Sequence, residues 1–172
     1  TLFLGLEIVT LALVGLVAMP RDGRSVEAAY KLFLMAGASG AAMLLGLAVM
    51  FAATGSLELP VLSARGLLPA VAVALLLAAL GFKFSLVPFH MWAPDLFAGA
   101  PPVAAAVAGA LSKVAVGVAL VRLAALAPSE PVWSAGLALA GGAAAILGNL
   151  MALRQDSVTR MLGYSSIGHS GY

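Results

Sequence analysis

Residues 81–92 read Gly81-Phe82-Lys83-Phe84-Ser85-Leu86-Val87-Pro88-Phe89-His90-Met91-Trp92 (GFKFSLVPFHMW) and close the apolar run LLPAVAVALLLAAL, residues 67–80. The run suits a membrane, yet it ends in a lysine, a proline and a histidine. A charge at the centre of a bilayer costs at least about 2.5–3.5 kcal/mol. Proline removes a backbone donor and clashes with the preceding turn. The stretch therefore predicts a helix that breaks just after Lys83 at membrane depth. Such a break is tolerated only where protein or a wet cavity surrounds the freed carbonyls. Lys83, those carbonyls and His90 are then expected to be neighbours along a hydrated path.

Composition supports that setting. The sequence is 63% hydrophobic and 9% charged, with a mean hydropathy of +1.10, whereas a soluble domain carries roughly a quarter charged residues. Its apolar runs are too many and too long for a signal peptide. Leu, Ala, Gly and Val recur without strand-like alternation, so the expected class is an all-α polytopic membrane protein, not a barrel. There is no cysteine, which excludes disulfides, iron–sulfur ligation and Cys-based zinc sites within this sequence. His90 and His169 are the two histidines, too far apart in sequence to suggest a haem or metal centre. The lipid bilayer is an expected partner and nucleic acid is not.

A helix needs about 20 residues to cross the hydrocarbon core. That length gives one transmembrane domain with spans at 1–19, 26–54, 67–86 (broken near Pro88), 103–125, 132–153 and, in part, 158–172. RDGR, GSLELPVLSARG, APSEP and RQDSVTR read as loops, and WAPDLFAGAPP as an irregular link. Thr1 falls inside an apolar run and Tyr172 where a span opens, so the sequence is expected to be the middle of a longer protein. Small residues crowd the second, fourth and fifth spans, as expected where helices pack closely in lipid. In an alternating topology Arg21, Arg24, Arg154 and Arg160 fall on one side, against Arg65 and Arg122 on the other. That bias puts RDGR and RQDSVTR in the cytoplasm, and Trp92 and Trp133 fit interfacial anchors.

The basic residues sort by type. The arginines lie in or beside loops, whereas Lys31, Lys83 and Lys113 lie within spans. Arginine keeps its proton in essentially any protein site; a buried lysine can be made to release it. Ionisable groups inside a membrane mark proton or ion pathways by default. Glu7 is the matching intramembrane acid, and it, or an acid outside this stretch, is expected to pair with a buried lysine. Lys31 follows Glu27 by four residues near a span end, so it reads either as a site residue or as a salt-bridged anchor. His90 reads as a proton relay or as an interfacial histidine bonded to a loop carbonyl. Ser165, Ser166, His169, Ser170 and Tyr172 line a second hydrated segment or bond neighbouring helices, and Asn149 suits the latter role.

The segments GLEIVTLALVGLVA, SVEAAYKLFLMAGASG, GFKFSLVPFHMWAPDLFAGAP, SKVAVGVALVRL and GNLMALRQDSVTRMLGYSSIGHSGY resemble, in order and spacing, the complex I/Mrp antiporter-like subunit family. The resemblance covers essentially the whole sequence, and FK.SLVPFH.W.PD...GAP followed by SK is its most specific part. It implies an antiporter-like helix bundle of fourteen helices with inverted repeats and a discontinuous transmembrane helix, the span ending at Lys83. It matches Glu7 to the fifth-helix glutamate, Lys31 to a sixth-helix lysine, Lys83 and Lys113 to the seventh- and eighth-helix lysines, and His90 to the histidine after the break. The implied activity is proton translocation through a glutamate–lysine pair and on through lysines, coupled to quinone reduction in a bacterial inner-membrane NADH:quinone oxidoreductase. Cofactors are then absent from this sequence, with NADH, FMN, iron–sulfur clusters and quinone on other subunits. Partners are the other membrane subunits, including homologous antiporter-like ones. An Mrp-type cation/proton antiporter subunit or a membrane-bound hydrogenase subunit is the alternative, and a scaffold with inert lysines a third. Relatives usually read GAP-x-PV where this sequence has GAPPVA, with Pro102 one place early.

Overall fold

The computed structural model describes residues 1–58, 66–126 and 131–172, so Arg65 and residues 127–130 of the APSEP loop lie outside the described part. All regular elements among the described residues are helices. They are α1 (Leu2–Ala18), α2 (Gly23–Thr54), α3 (Leu67–Phe84), α4 (Trp92–Gly99), α5 (Pro102–Gly109), α6 (Leu111–Leu126), α7 (Pro131–Ala152) and α8 (Val158–Gly171). Gly23–Thr54, Leu67–Phe84, Pro102–Leu123 and Trp133–Ala152 are long and apolar enough to cross a membrane.

Local chemistry sets the boundaries. α1 ends at Ala18; Met19 still has helical angles (φ −55°, ψ −39°), and Arg21, at φ 59°, turns the chain away, its N–H donating to the Ala18 carbonyl at 3.1 Å. Asp22 then caps α2, accepting the Ser25 N–H at 2.7 Å. Gly55, at φ +72°, ends that helix in the left-handed conformation that glycine adopts without penalty. α3 ends at Phe84, and Ser85 takes up the left-handed conformation with φ 63°. The Ser85 N–H donates to the Phe82 carbonyl at 3.0 Å, and the Leu86 N–H to the Gly81 carbonyl at 2.7 Å. The discontinuity therefore falls just beyond Lys83, ahead of Pro88.

Two expectations need correction. The link WAPDLFAGAPP is not irregular, because residues 92–99 form α4. Pro94 sits in its first turn, where no backbone donor is required, and Asp95 suits the positive end of the helix dipole. The span expected at 103–125 is present as Pro102–Leu123, passing from α5 to α6 at Ala110, whose φ of −113° and ψ of −72° depart from helical values. Pro102 is the first residue of α5, a position that suits a residue without an N–H. Lastly, Trp92 and Trp133 are buried in protein, at 4% and 3% exposure, and not placed as interfacial anchors.

Close approaches fix how the helices lie. A Cβ on Gly46 of α2 would meet the Ala72 carbonyl of α3 at 3.1 Å, and Ser39 donates to the Ala79 carbonyl at 3.1 Å. A Cβ on Gly148 of α7 would overlap the backbone of Gly168 in α8. Two apolar clusters result. One gathers Val17, Leu32, Phe82, Trp92, Leu96 and Ile167. The other gathers Leu76, Leu80, Val116, Leu123 and Trp133. Phe82 belongs to the first and Leu80 to the second, so α3 delivers Lys83 to the seam between them.

Candidate functional site

Lys83 is the centre of the site. Its side chain is only 3% exposed, and its Nζ lies 2.8 Å from Oε1 of Glu7, itself 22% exposed. The contact is a charge pairing, and Oε1 has no hydrogen-bond partner. The Lys83 ammonium instead directs a hydrogen bond to Thr10 Oγ1 at 2.9 Å, and Thr10 in turn donates to the Leu6 carbonyl at 2.7 Å. Glu7 and Thr10 are three residues apart and share one face of α1. From the opposite side α2 presents Gly40, where a Cβ would stand 3.3 Å from Glu7 Oε1. The glycine gives the carboxylate room against the helix.

The carbonyls freed by the break are not left to water alone. The Phe82 carbonyl accepts the Trp92 indole N–H at 2.8 Å as well as the Ser85 N–H. This closes α4 over the end of α3 and accounts for the burial of Trp92, with the Phe82 and Trp92 ring centroids 5.6 Å apart. Buried polar groups require such partners. The side of the break that carries Val87, Pro88 and Phe89 borders an apolar cleft of about 420 Å³ against α7. His90 lies beyond Pro88, with Nδ1 buried and its ring against the Pro88 backbone. Among the described residues no hydrogen bond or ion pair joins it to Lys83.

Lys113 occupies a second place. It projects from α6 and donates to the Ser166 carbonyl and to Ser170 Oγ of α8. An open cleft of about 770 Å³ runs past Lys113, Ser166, His169, Ser170 and Phe84, so the residue next to Lys83 in sequence borders the Lys113 cleft. The polar residues of α8 thus divide. Ser166 and Ser170 engage Lys113, while His169 Nδ1 donates to the Ser165 carbonyl at 2.9 Å and its ring packs edge-on to Tyr172. Asn149 joins α7 to α8, donating to the Ala145 carbonyl and to Tyr172 Oη, each at 2.7 Å.

Lys31 is in neither place. It pairs with Glu27 at 2.7 Å and Asp95 at 3.3 Å, and Asp95 also receives Arg160 at 3.2 Å. These groups line a polar cleft with Arg24 and Ser157, so the RDGR and RQDSVTR loops share one end of the bundle. In this cluster the Lys31 side chain is 45% exposed. Thr10, Asp95 and the partnership of Asp95 with Arg160 were not singled out from sequence. The spacing of Thr10 from Glu7 was the available signal for the first; nothing in the sequence pairs residues so far apart as Asp95 and Arg160.

Fold and site together define a polytopic membrane protein that keeps an ion pair and a second lysine in its interior, beside a discontinuous helix. Over residues 1–172 the chain matches the family model described as NADH:quinone oxidoreductase/Mrp antiporter, TM. The chain belongs to that family. NADH-quinone oxidoreductase subunit N of Rhodopseudomonas palustris (strain BisA53) is 54% identical over 173 residues, covering 100% of this chain and 38% of the relative. The subunit N of Cereibacter sphaeroides (strain ATCC 17025 / ATH 2.4.3) is 57% identical over 172 residues, with the same coverage. The chain thus spans 38% of the length of these relatives. A chain of respiratory complex I from Thermus thermophilus with bound aureothin superimposes with a TM-score of 0.87 at 41% identity, over 99% of this chain and 38% of that one. A chain of the Mrp complex from Dietzia sp. DQ12-45-1b superimposes with a TM-score of 0.88 over 99% of this chain and 33% of that one; at 24% identity this is a likeness of fold. The family, the apolar helices and the bacterial relatives make this a multi-pass protein of the bacterial inner membrane.

Proposed function

We propose that this chain is part of a membrane subunit of NADH:quinone oxidoreductase that translocates protons, driven by quinone reduction on other subunits. The observation that carries the proposal is the buried Lys83–Glu7 pair at the end of a discontinuous helix. At 2.8 Å and an effective dielectric of about 20, the attraction is on the order of 6 kcal/mol. The hold on the Lys83 proton therefore depends on whether Glu7 is charged and close. Neutralising or withdrawing Glu7 leaves an ammonium uncompensated in a buried site, and release of the proton relieves that cost. A lysine serves here where an arginine would not, since arginine does not give up its proton.

Lys113 is the onward carrier. α3 packs against α6 through Leu76, Leu80, Val116 and Leu123, and Phe84 borders the Lys113 cleft. The cleft beside Lys113 is walled mostly by apolar side chains, and Ser166, His169 and Ser170 supply the polar side on which water for proton transfer would bind. His90, its ring buried against the Pro88 backbone after the break, is a relay candidate. Lys31, in its surface charge cluster, acts as an anchor. Redox chemistry, with NADH, FMN, iron–sulfur clusters and quinone, resides on partner subunits, in keeping with a sequence that has no cysteine and with relatives named as one subunit of an oxidoreductase. The test is Lys113→Met in the full-length protein within its assembled complex. Loss of NADH-driven proton uptake in sealed vesicles is expected; unchanged uptake per quinone reduced would return Lys113 to a scaffold role.

A further inference from the structure

Lys83 has two holders of different chemistry on one helix. Glu7 offers charge at 2.8 Å, and Thr10, one turn further along α1, offers a hydroxyl at 2.9 Å. The Thr10 proton is already committed to the Leu6 carbonyl at 2.7 Å. Toward Lys83 this oxygen is therefore an acceptor only. It can take an N–H from the ammonium and equally from the neutral amine, but it has no proton to offer the amine's lone pair. That lone pair must point elsewhere. Next to the contact lies a small cavity of about 20 Å³ whose wall is mostly apolar, with Lys83, Thr10 and Ser112 as polar groups on it. A space of this size, with polar groups on its wall, accommodates a single water.

We infer that Thr10 is a positioning residue for Lys83: it grips the amine in both protonation states and leaves the lone pair facing the cavity that Ser112 borders. Glu7 then governs whether the amine is charged, and Thr10 governs where it points. Ser112 precedes Lys113 in α6, so the free direction lies toward the helix of the second lysine. The inference rests on the proton-carrying role proposed for Lys83.

The test uses the full-length protein in its intact complex, in sealed vesicles, with NADH-driven proton uptake and quinone reduction read together. Thr10→Val keeps the shape and removes the hydroxyl. Coupled turnover is expected to fall about 10-fold or more, the scale of a lost hydrogen bond to a charged group. Thr10→Ser restores it, because the hydroxyl returns without the methyl. Thr10→Ala, which introduces no bulk, gives the same loss as Thr10→Val and serves where the valine variant fails to assemble. Lys83→Met is run beside them. Uptake lost with Lys83→Met but normal with Thr10→Val or Thr10→Ala overturns this inference alone, and so does a Thr10→Ser variant as impaired as the valine one. Normal uptake with Lys83→Met overturns the role of the lysine itself.

Discussion

Replacing Glu7 with glutamine tests the buried pair as an energetic unit. The amide keeps the shape and an acceptor oxygen, so what is lost is the charge facing Lys83. That lysine is 3% exposed, and removing one partner of a buried pair costs about 3–5 kcal/mol because the other charge is stranded. Thr10 still holds the ammonium, which places the expected loss near the lower bound, about 3 kcal/mol. The reverse change, Lys83→Met, leaves a carboxylate that is 22% exposed and reaches water more easily. It should therefore cost less than Glu7→Gln. Once Glu7 is neutral, Lys83→Met removes an uncompensated charge, and the double variant should be more stable than the sum of the single losses by at least about 1 kcal/mol. The assay is the unfolding free energy of the full-length protein in detergent, for both single variants and the double. If the single losses add within about 0.5 kcal/mol, the two groups are not coupled and the reasoning fails.

Three further outcomes follow from the packing. Gly148→Ala places a methyl group into the Gly168 backbone, and overpacking of this kind costs about 1–3 kcal/mol; a melting temperature equal to that of the parent would contradict the α7–α8 contact. Trp92→Phe removes the indole N–H from the Phe82 carbonyl, so amide hydrogen exchange over residues 81–92 should speed up, and unchanged protection there would show that the indole is not what seals the break. Asp95→Asn weakens two ion pairs whose cations are 45% and 47% exposed, so stability should change by less than about 1 kcal/mol with proton uptake retained. Abolished uptake in that variant would move Lys31 from anchor to pathway.

The sequence carried the discontinuity well. A lysine and a proline placed at the end of an apolar run have few physical solutions, and the helix ends at Phe84 as that stretch requires. Glu7 was legible as an intramembrane acid, but its choice of Lys83 over Lys113 depended on where α1 lies against α3, which no local rule fixes. Trp92 misled because tryptophan is common at interfaces; here its N–H satisfies a carbonyl that the break had freed, a demand visible only after the chain turns back. The link after it looked irregular because of its prolines, yet Pro94 occupies the one part of a helix that tolerates it. Lys31 was ambiguous from its spacing to Glu27, and its second partner, Asp95, is too distant in sequence for any local rule to pair with it. Thr10 was overlooked because a threonine in an apolar helix usually bonds its own backbone, and this one does so while also receiving Lys83.

The most direct measurement is Lys83→Met in the full-length protein, within the assembled complex in sealed vesicles, following NADH-driven proton uptake beside quinone reduction. Uptake lost and quinone reduction slowed, with the complex intact, is the predicted result and would put Lys83 on the coupled path. Wild-type uptake and wild-type reduction would contradict it, leaving GFKFSLVPFHMW as a structural break in a helix.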